Sequence, residues 1–413
     1  MRILSVGLLF PPHSRGGYEL MCAGAMHAAE ARGHDVRILV SDYRDPDIEQ
    51  PDLLPVDRSL RSYLDDRAQA RTPPRLLETV ELERWNGEVL ERHLREHAPD
   101  VVSWWGMGGM SLTLIERVRR AGLPSVLCIE DHWLSYAPEA DAWARTVRRW
   151  RLRGFAPLLE PLLGLPMRFD LEQAGRFVFN STYTRDAAIA SGLRAPDSIV
   201  LNPGVHSRYL LQPSAPWGWR LLYVGRLDST KGVDVVVDAL ARLPPQATLR
   251  VIGSGDAAYE AALRSQARSL GLEDRVELSG AIAAEHVPAA YAAADAVIFP
   301  VRWEEPWGLV PLEAMAVGRP VIATARGGAV SYLRDGENAL LMPVDDPGAL
   351  AAAVGRLAVS EPLRARLREG GIRTVGEYSA ERRDELVVDE LERAWERSRG
   401  ATVAPPGSSR SAR

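Results

Sequence analysis

The residues best suited to chemistry are two cations, Arg226 and Lys231, and two carboxylates, Glu305 and Glu313. Arg226 and Lys231 lie in Leu222–Gly232 (LYVGRLDSTKG), where an apolar run ends in a Gly-containing turn before a helix-like stretch. Paired cations at a helix start complement a diphosphate, because the free amides and positive helix end also attract anions. Lys231 is the only lysine among 50 basic residues. An arginine excess fits a GC-rich bacterial genome. It does not account for one compact ammonium at this position, and the two cations are not interchangeable.

Glu305 and Glu313 belong to the segment WEEPWGLVPLEAMAVGRPVIAT, residues 303–324. Glu305 falls in a loop before a helix, and Glu313 falls inside that helix near its start. Gly308 and Leu309 then open the helix with amides free for a phosphate. The two carboxylates are suited to hydroxyl groups, such as those of a sugar ring and a ribose. Two Gly-rich turns add weaker signals. His13-Ser14-Arg15-Gly16-Gly17 follows the first strand-like run, and paired glycines there allow close backbone approach to phosphate. Ile252-Gly253-Ser254-Gly255-Asp256-Ala257-Ala258 superficially matches a dinucleotide fingerprint. No acidic residue follows it at the expected strand end, so it reads as a tight turn near a nucleotide, not an NAD site.

These residues need two sheets to position them. Apolar β-rich runs at 2–10, 36–41, 101–105, 125–129, 176–180 and 198–201 alternate with amphipathic stretches. A second α/β series starts at Arg220, with strands predicted over 220–225, 248–253, 275–278, 296–299, 320–323 and 339–342. The pattern predicts an α/β protein of two Rossmann-like parallel-sheet domains facing across a cleft. The predicted boundaries are an N-terminal domain over 1–212, a linker over 213–219 (PSAPWGW) and a C-terminal domain over 220–380. A crossing-back helix over 381–399 and a disordered tail over 400–413 follow. Residues 44–98 read as a largely helical insertion. Residues 150–168 read as a helix or loop packed near the cleft; the alternative is a patch touching a membrane or a lipid-linked acceptor.

Composition excludes several classes. The 413 residues carry a formal net charge of −5, unlike the basic face of a nucleic-acid binder. Two cysteines leave no disulfide framework or Cys-rich metal site. No apolar run reaches the ~20 residues of a membrane span, and the N-terminus is strand-like, so the expectation is a cytoplasmic protein.

Taken together, Gly16-Gly17, Gly225-Arg226-Leu227, Lys231-Gly232, Gly253-Ser254-Gly255, the Glu305–Glu313 spacing and Gly327-Gly328 resemble glycosyltransferase family 4, the retaining enzymes of the GT-B fold. Asn180–Thr184 and Asn202–Val205 add to the likeness, which extends from about residue 2 to about 395. It implies a retaining, metal-independent transferase moving a sugar from an NDP-sugar, expected to be a UDP-sugar, to a sugar, lipid or small-molecule acceptor. Arg226 and Lys231 would neutralise the diphosphate, and Gly308 and Leu309 would donate amides to it. Glu305 would hold the sugar hydroxyls and Glu313 the ribose. Gly16 and Gly17 would close over the phosphates, and Gly253 would lie beside the nucleotide. No cofactor or metal is implied.

The family often carries a histidine before Asp131 that touches the donor sugar. Here the run is Ile129-Glu130-Asp131-His132-Trp133, so Glu130 or His132 is expected in that role. Trp104, Trp105, Trp133 and Tyr136 sit near predicted strand ends, where they either stack on an acceptor or pack in the core. Nucleotide-sugar epimerases and sugar phosphorylases share the fold and are the alternative reading. A non-catalytic sugar-nucleotide binder is disfavoured by the intact Arg226, Lys231, Glu305 and Glu313 set.

Overall fold

The computed structural model describes residues 1–14, 16–45, 48–63 and 76–402. It divides into two compact units: Met1–Leu201 with the residues from Arg383 onward, and Asn202–Arg382. Among the described residues, no helix is long and apolar enough to cross a membrane.

The first unit runs β1 (Arg2–Gly7), α1 (Gly17–Ala31), β2 (Asp35–Ser41), β3 (Val56–Leu60), α2 (Leu76–Glu96), β4 (Val101–Trp105), α3 (Leu112–Arg120), β5 (Ser125–Ile129), α4 (Trp133–Ala140), α5 (Ala142–Arg149), α6 (Ala156–Leu163), β6 (Arg176–Phe179), α7 (Thr182–Ala190) and β7 (Ser198–Val200). Its seven strands pair in parallel in the order β3-β2-β1-β4-β5-β6-β7. β4 and β5 are buried throughout, as expected for strands covered on both faces. β3 lies within the stretch expected to be a largely helical insertion. Its VDRSL sequence mixes charge with apolar residues because it forms the sheet edge, pairing with β2.

The second unit runs β8 (Arg220–Val224), α8 (Val233–Leu240), β9 (Thr248–Ile252), α9 (Ala257–Ser269), β10 (Val276–Leu278), α10 (Val287–Ala293), β11 (Ala296–Phe299), α11 (Leu309–Val317), β12 (Val321–Ala323), β13 (Leu340–Leu341), α12 (Pro347–Val359) and α13 (Glu361–Val375). Its parallel sheet has the order β10-β9-β8-β11-β12-β13. The last helix, α14 (Ala380–Thr402), belongs to the first unit from Arg383 onward. Its Val387, Val388, Leu391 and Ala394 are buried in a cluster with Ile3, Cys22 and Met26. Polar ties reinforce that seat: Arg32 to Asp389 at 2.6 Å, His34 to Glu392 at 2.8 Å, and Arg176 to Glu390. The tail expected from residue 400 lies outside the described residues from 403 onward; residues 400–402 continue α14.

The expected linker over 213–219 is part of the second unit. Gly218 N and Arg220 N donate to Asp295 at 3.0 and 2.8 Å, and Trp217 and Trp219 pack against the core beneath. The unit begins earlier, where Val205 N donates to Tyr378 O at 2.9 Å and the Trp307 indole donates to Pro203 O at 2.9 Å. Residues 213–216 stay exposed, while the half-buried indoles of Trp217 and Trp219 anchor the end of the stretch on the core.

One buried polar cluster titrates with folding. Glu83 on α2 is fully buried and accepts the hydroxyls of Tyr63, Ser111 and Thr113. Asp141, 1% exposed, caps α5 and accepts Leu112 N and Ala144 N at 2.8 and 2.7 Å. Burial pushes the Asp141 carboxyl up to about 7, and the Glu83 charge adds to that push. An unfolded Asp titrates near 3.9, so between these values the folded chain holds the extra proton. Stability is therefore expected to fall as pH rises from about 4 to about 7 at this site, with a slope of up to about 1.4 kcal/mol per pH unit. Glu83→Gln removes the neighbouring charge and should flatten that fall in thermal midpoints measured across the window; an unchanged slope would overturn the assignment.

Candidate functional site

In the second sheet the strand order reverses between β8 and β11, and ligands in such sheets bind beyond the carboxyl ends of strands at that switch point. Lys231 ends the short 3-10 turn Ser229–Lys231 after β8, and Glu305 follows β11. Lys231 Nζ lies 2.7 Å from Glu305 Oε2, with the two side chains 12% and 15% exposed. The Trp303 indole donates to the same oxygen at 2.6 Å, and the ammonium sits 4.7 Å from the Trp303 ring centroid. A cation, a carboxylate and an aromatic face are thus held as one cluster.

Arg302 locks the two loops together. Its guanidinium donates to Asp234 at 2.8 and 2.6 Å and to Ser229 O at 2.8 Å, and its amide donates to Thr230 O at 2.8 Å. Gly327 closes the other side, with its amide on Glu304 Oε2 at 2.7 Å. With φ +60°, a Cβ there would stand 2.2 Å from Glu305 O, so a larger residue would displace the Glu305 backbone. Gly308 caps α11, and an added Cβ would lie 3.4 Å from Glu305 Cγ, which puts the helix start beside the carboxylate. The first-turn amides of Gly308, Leu309 and Val310 have no intrahelical acceptors.

Glu313 faces α10. Tyr209 and Tyr291 donate their hydroxyls to its two oxygens at 2.9 and 2.7 Å, and burial pushes its carboxyl upward. Arg226 stands more openly, 62% exposed and 3.6 Å from Asp228. Gly253 packs strand end on strand end: at φ +135° its Cβ would meet Gly225 O at 1.9 Å. Sequence reasoning missed Arg302, Tyr209 and Tyr291 as supports. No local motif marks them, because they act across 22 to 104 residues of sequence. Trp303 stood within the segment singled out, and its proximity to Glu305 was its only signal.

In the first unit, Gly16 caps α1 and donates its amide to Glu19 at 3.0 Å, and Gly17 opens the helix. Glu130, one of the two residues expected to contact the sugar, is instead buried in an ion pair. Its side chain is 1% exposed and paired with Arg383 of α14, whose own side chain is 3% exposed. His132 caps α4 without a side-chain cap bond and stacks edge-on with Tyr183 at 5.5 Å. Of the two roles open to Trp104, Trp105 and Trp133, the structure shows packing in the core. They are 0%, 2% and 0% exposed, because β4 is buried at every position and Trp133 opens α4 on its buried face. Tyr136 stays exposed and donates to Asp131 at 3.0 Å.

Two doubly wound units, one with a cation–carboxylate cluster at its switch point, define a protein of the GT-B class. The model of Glycosyltransferase Family 4 matches residues 15–209, and that of glycosyl transferases group 1 matches residues 217–374. The chain belongs to this family of glycosyltransferases. It is 38% identical over 152 residues to the D-inositol 3-phosphate glycosyltransferase of Xylanimonas cellulosilytica, covering 36% of each chain. It is 34% identical over 195 residues to the phosphatidyl-myo-inositol mannosyltransferase of Mycobacterium leprae, covering 46% of this chain and 48% of that one. The chain thus matches less than half the length of these curated relatives. The fold is similar to that of Anabaena HepE solved with UDP-glucose, at a TM-score of 0.71 and 23% identity, covering 95% of this chain and 100% of that one. It is similar also to WaaG, a glycosyltransferase involved in lipopolysaccharide biosynthesis, at a TM-score of 0.65 and 19% identity, covering 95% and 99%.

Proposed function

We propose that this chain transfers a glycosyl group from a nucleoside diphosphate sugar to a hydroxyl acceptor, with retention and without a metal ion. The observation that carries the reading is the Lys231–Glu305–Trp303 cluster at the β8–β11 switch point, beside the amide-rich start of α11. Departure of the diphosphate leaves negative charge on its oxygens while the sugar becomes oxocarbenium-like. Lys231 and Arg226, with the amides of Gly308 and Leu309, stabilise that charge as it forms. A diphosphate arriving at Lys231 competes with Glu305 for the ammonium. Glu305 is then released to accept the hydroxyls of the transferred sugar. Glu313, held by Tyr291, exchanges its Tyr209 partner for a ribose hydroxyl. Retention follows if the acceptor attacks from the face the diphosphate leaves, with a phosphate oxygen taking the acceptor proton.

The test is a thermal-shift and turnover screen with UDP-, GDP-, ADP- and dTDP-sugars, UDP-sugars first. A nucleoside diphosphate that binds only the folded chain raises its midpoint. The matching sugar nucleotide should release nucleoside diphosphate in the presence of an acceptor, with EDTA leaving the rate intact. NMR of the product should show the donor's anomeric configuration kept. Absence of any midpoint shift across the panel would overturn the donor site. Conversion of the donor sugar without an acceptor would favour the epimerase reading instead.

A further inference from the structure

An apolar row stands uncovered on the first unit. On α6, Ala156, Leu159 and Leu163 pack inward with Trp143, Val147, Leu165 and Met167. The other face should be polar in a surface helix. Here it carries Phe155, Leu158 and Leu162, spaced i, i+3, i+7, at 59%, 76% and 74% exposed. Trp150, before the helix, is 66% exposed. Scattered exposed apolar residues are ordinary, but four large ones in one short stretch are not.

The charge around this row is one-sided. Between Asp141 and Glu160 the sequence holds Arg145, Arg148, Arg149, Arg151 and Arg153 and no carboxylate, in a chain whose net charge is −5. The carboxylates at either end are engaged. Glu160 accepts both Arg120 nitrogens at 2.8 and 3.1 Å and the Met167 amide at 2.7 Å, and Glu139 is bridged to Arg148. Arg149 and Arg151 are exposed beside Trp150. A row of Phe, Leu and Trp flanked by arginines suits the boundary between acyl chains and anionic headgroups, where the apolar side chains insert and the guanidinium groups meet phosphate.

We propose that α6 with the preceding turn, residues 150–162, docks the protein on the surface of an anionic lipid bilayer. The apolar row enters the headgroup boundary, and Arg149 and Arg151 lie against the lipid phosphates. A neutral bilayer would forgo the electrostatic part. An acidic protein or a second copy of this chain would have to cover the row with a matching apolar face, and a second copy would bring the same arginines against each other.

The experiment is co-sedimentation of the full chain with phosphatidylcholine vesicles prepared with and without phosphatidylglycerol. Binding is expected to the phosphatidylglycerol vesicles, and much less to the neutral ones or at high salt. Leu158→Ser with Leu162→Ser should weaken it at least about tenfold. Arg149→Gln with Arg151→Gln should weaken it and reduce its salt dependence. All four side chains are exposed, so the thermal midpoint of each variant should match the parent. The proposal is overturned if the parent ignores anionic vesicles, or if the leucine variant binds them equally well. It is overturned also if sedimentation equilibrium shows a dimer that the leucine variant dissolves.

Discussion

Lys231→Ala is expected to lower kcat/KM with the sugar-nucleotide donor by about 10²- to 10³-fold, a loss of about 3–4 kcal/mol of transition-state stabilisation. The ammonium is held in a half-sheltered place, 2.7 Å from Glu305 and 4.7 Å from the Trp303 ring centroid. Charge that develops there is poorly screened by water, so a fixed cation contributes far more than one on the open surface. The effect should fall mainly on kcat, because the diphosphate gains charge only as the glycosyl bond breaks. Lys231→Arg should not restore the rate, since a planar guanidinium does not fit the position of a compact ammonium over the indole. Arg226→Ala should cost less, because that side chain is 62% exposed and already near Asp228. Steady-state kinetics with matched thermal midpoints would decide the matter. Unchanged turnover in Lys231→Ala would remove the diphosphate from this site.

Arg383→Met is expected to destabilise the first unit by about 3–5 kcal/mol, the usual cost of leaving one member of a buried ion pair alone. Arg383 joins Glu130 at the end of β5 and lies 5.5 Å from the Trp105 ring centroid, so α14 is tied electrostatically to the strand it covers. Burial pushes the Glu130 carboxyl upward, and Arg383 opposes that shift. Without the arginine the folded pKa of Glu130 rises further above its unfolded value. The folded state then takes up a proton that the unfolded chain lacks. The loss should therefore be smaller at acidic pH and grow as pH rises through the new folded pKa. The double variant Glu130→Gln with Arg383→Met should recover much of the midpoint, since no buried charge is left unpaired. Denaturant titrations of parent, single and double variants test this. A single variant as stable as the parent would show that the pair carries no such load.

The parts legible in the sequence were those with local causes. Apolar-rich runs of four to nine residues between turn signals marked the strands, because a strand buried on both faces is apolar at most positions. The glycines at strand-to-helix turns marked where backbone passes close to backbone, as at Gly253 and Gly327. Lys231 and Glu305 stood out by residue type and position, and the family pattern joined them. What failed depended on partners far along the chain. Glu130 looked available because its neighbours resemble a site, yet a helix more than 250 residues later supplies Arg383 to it. Trp104 and Trp105 could either stack or pack on the sequence alone, and the choice fell to packing because β4 lies inside the sheet with both faces covered. The 213–219 stretch read as a linker, while Asp295 and the core beneath two tryptophans held it down.

By itself, the sequence determined that there would be two parallel α/β series and where their strands other than β3 would run, and it marked Lys231, Glu305 and Glu313 by residue type and spacing. Those features follow from hydrophobic period, turn chemistry and residue type, all of which act over a few neighbours. Only the tertiary structure decided that β8 and β11 lie side by side, so that Lys231 meets Glu305 over Trp303. It alone decided that Glu130 spends its charge on Arg383, and that one face of α6 stays bare. Strand order, ion pairing and burial are set by contacts between distant segments, and those contacts exist only once the chain has packed.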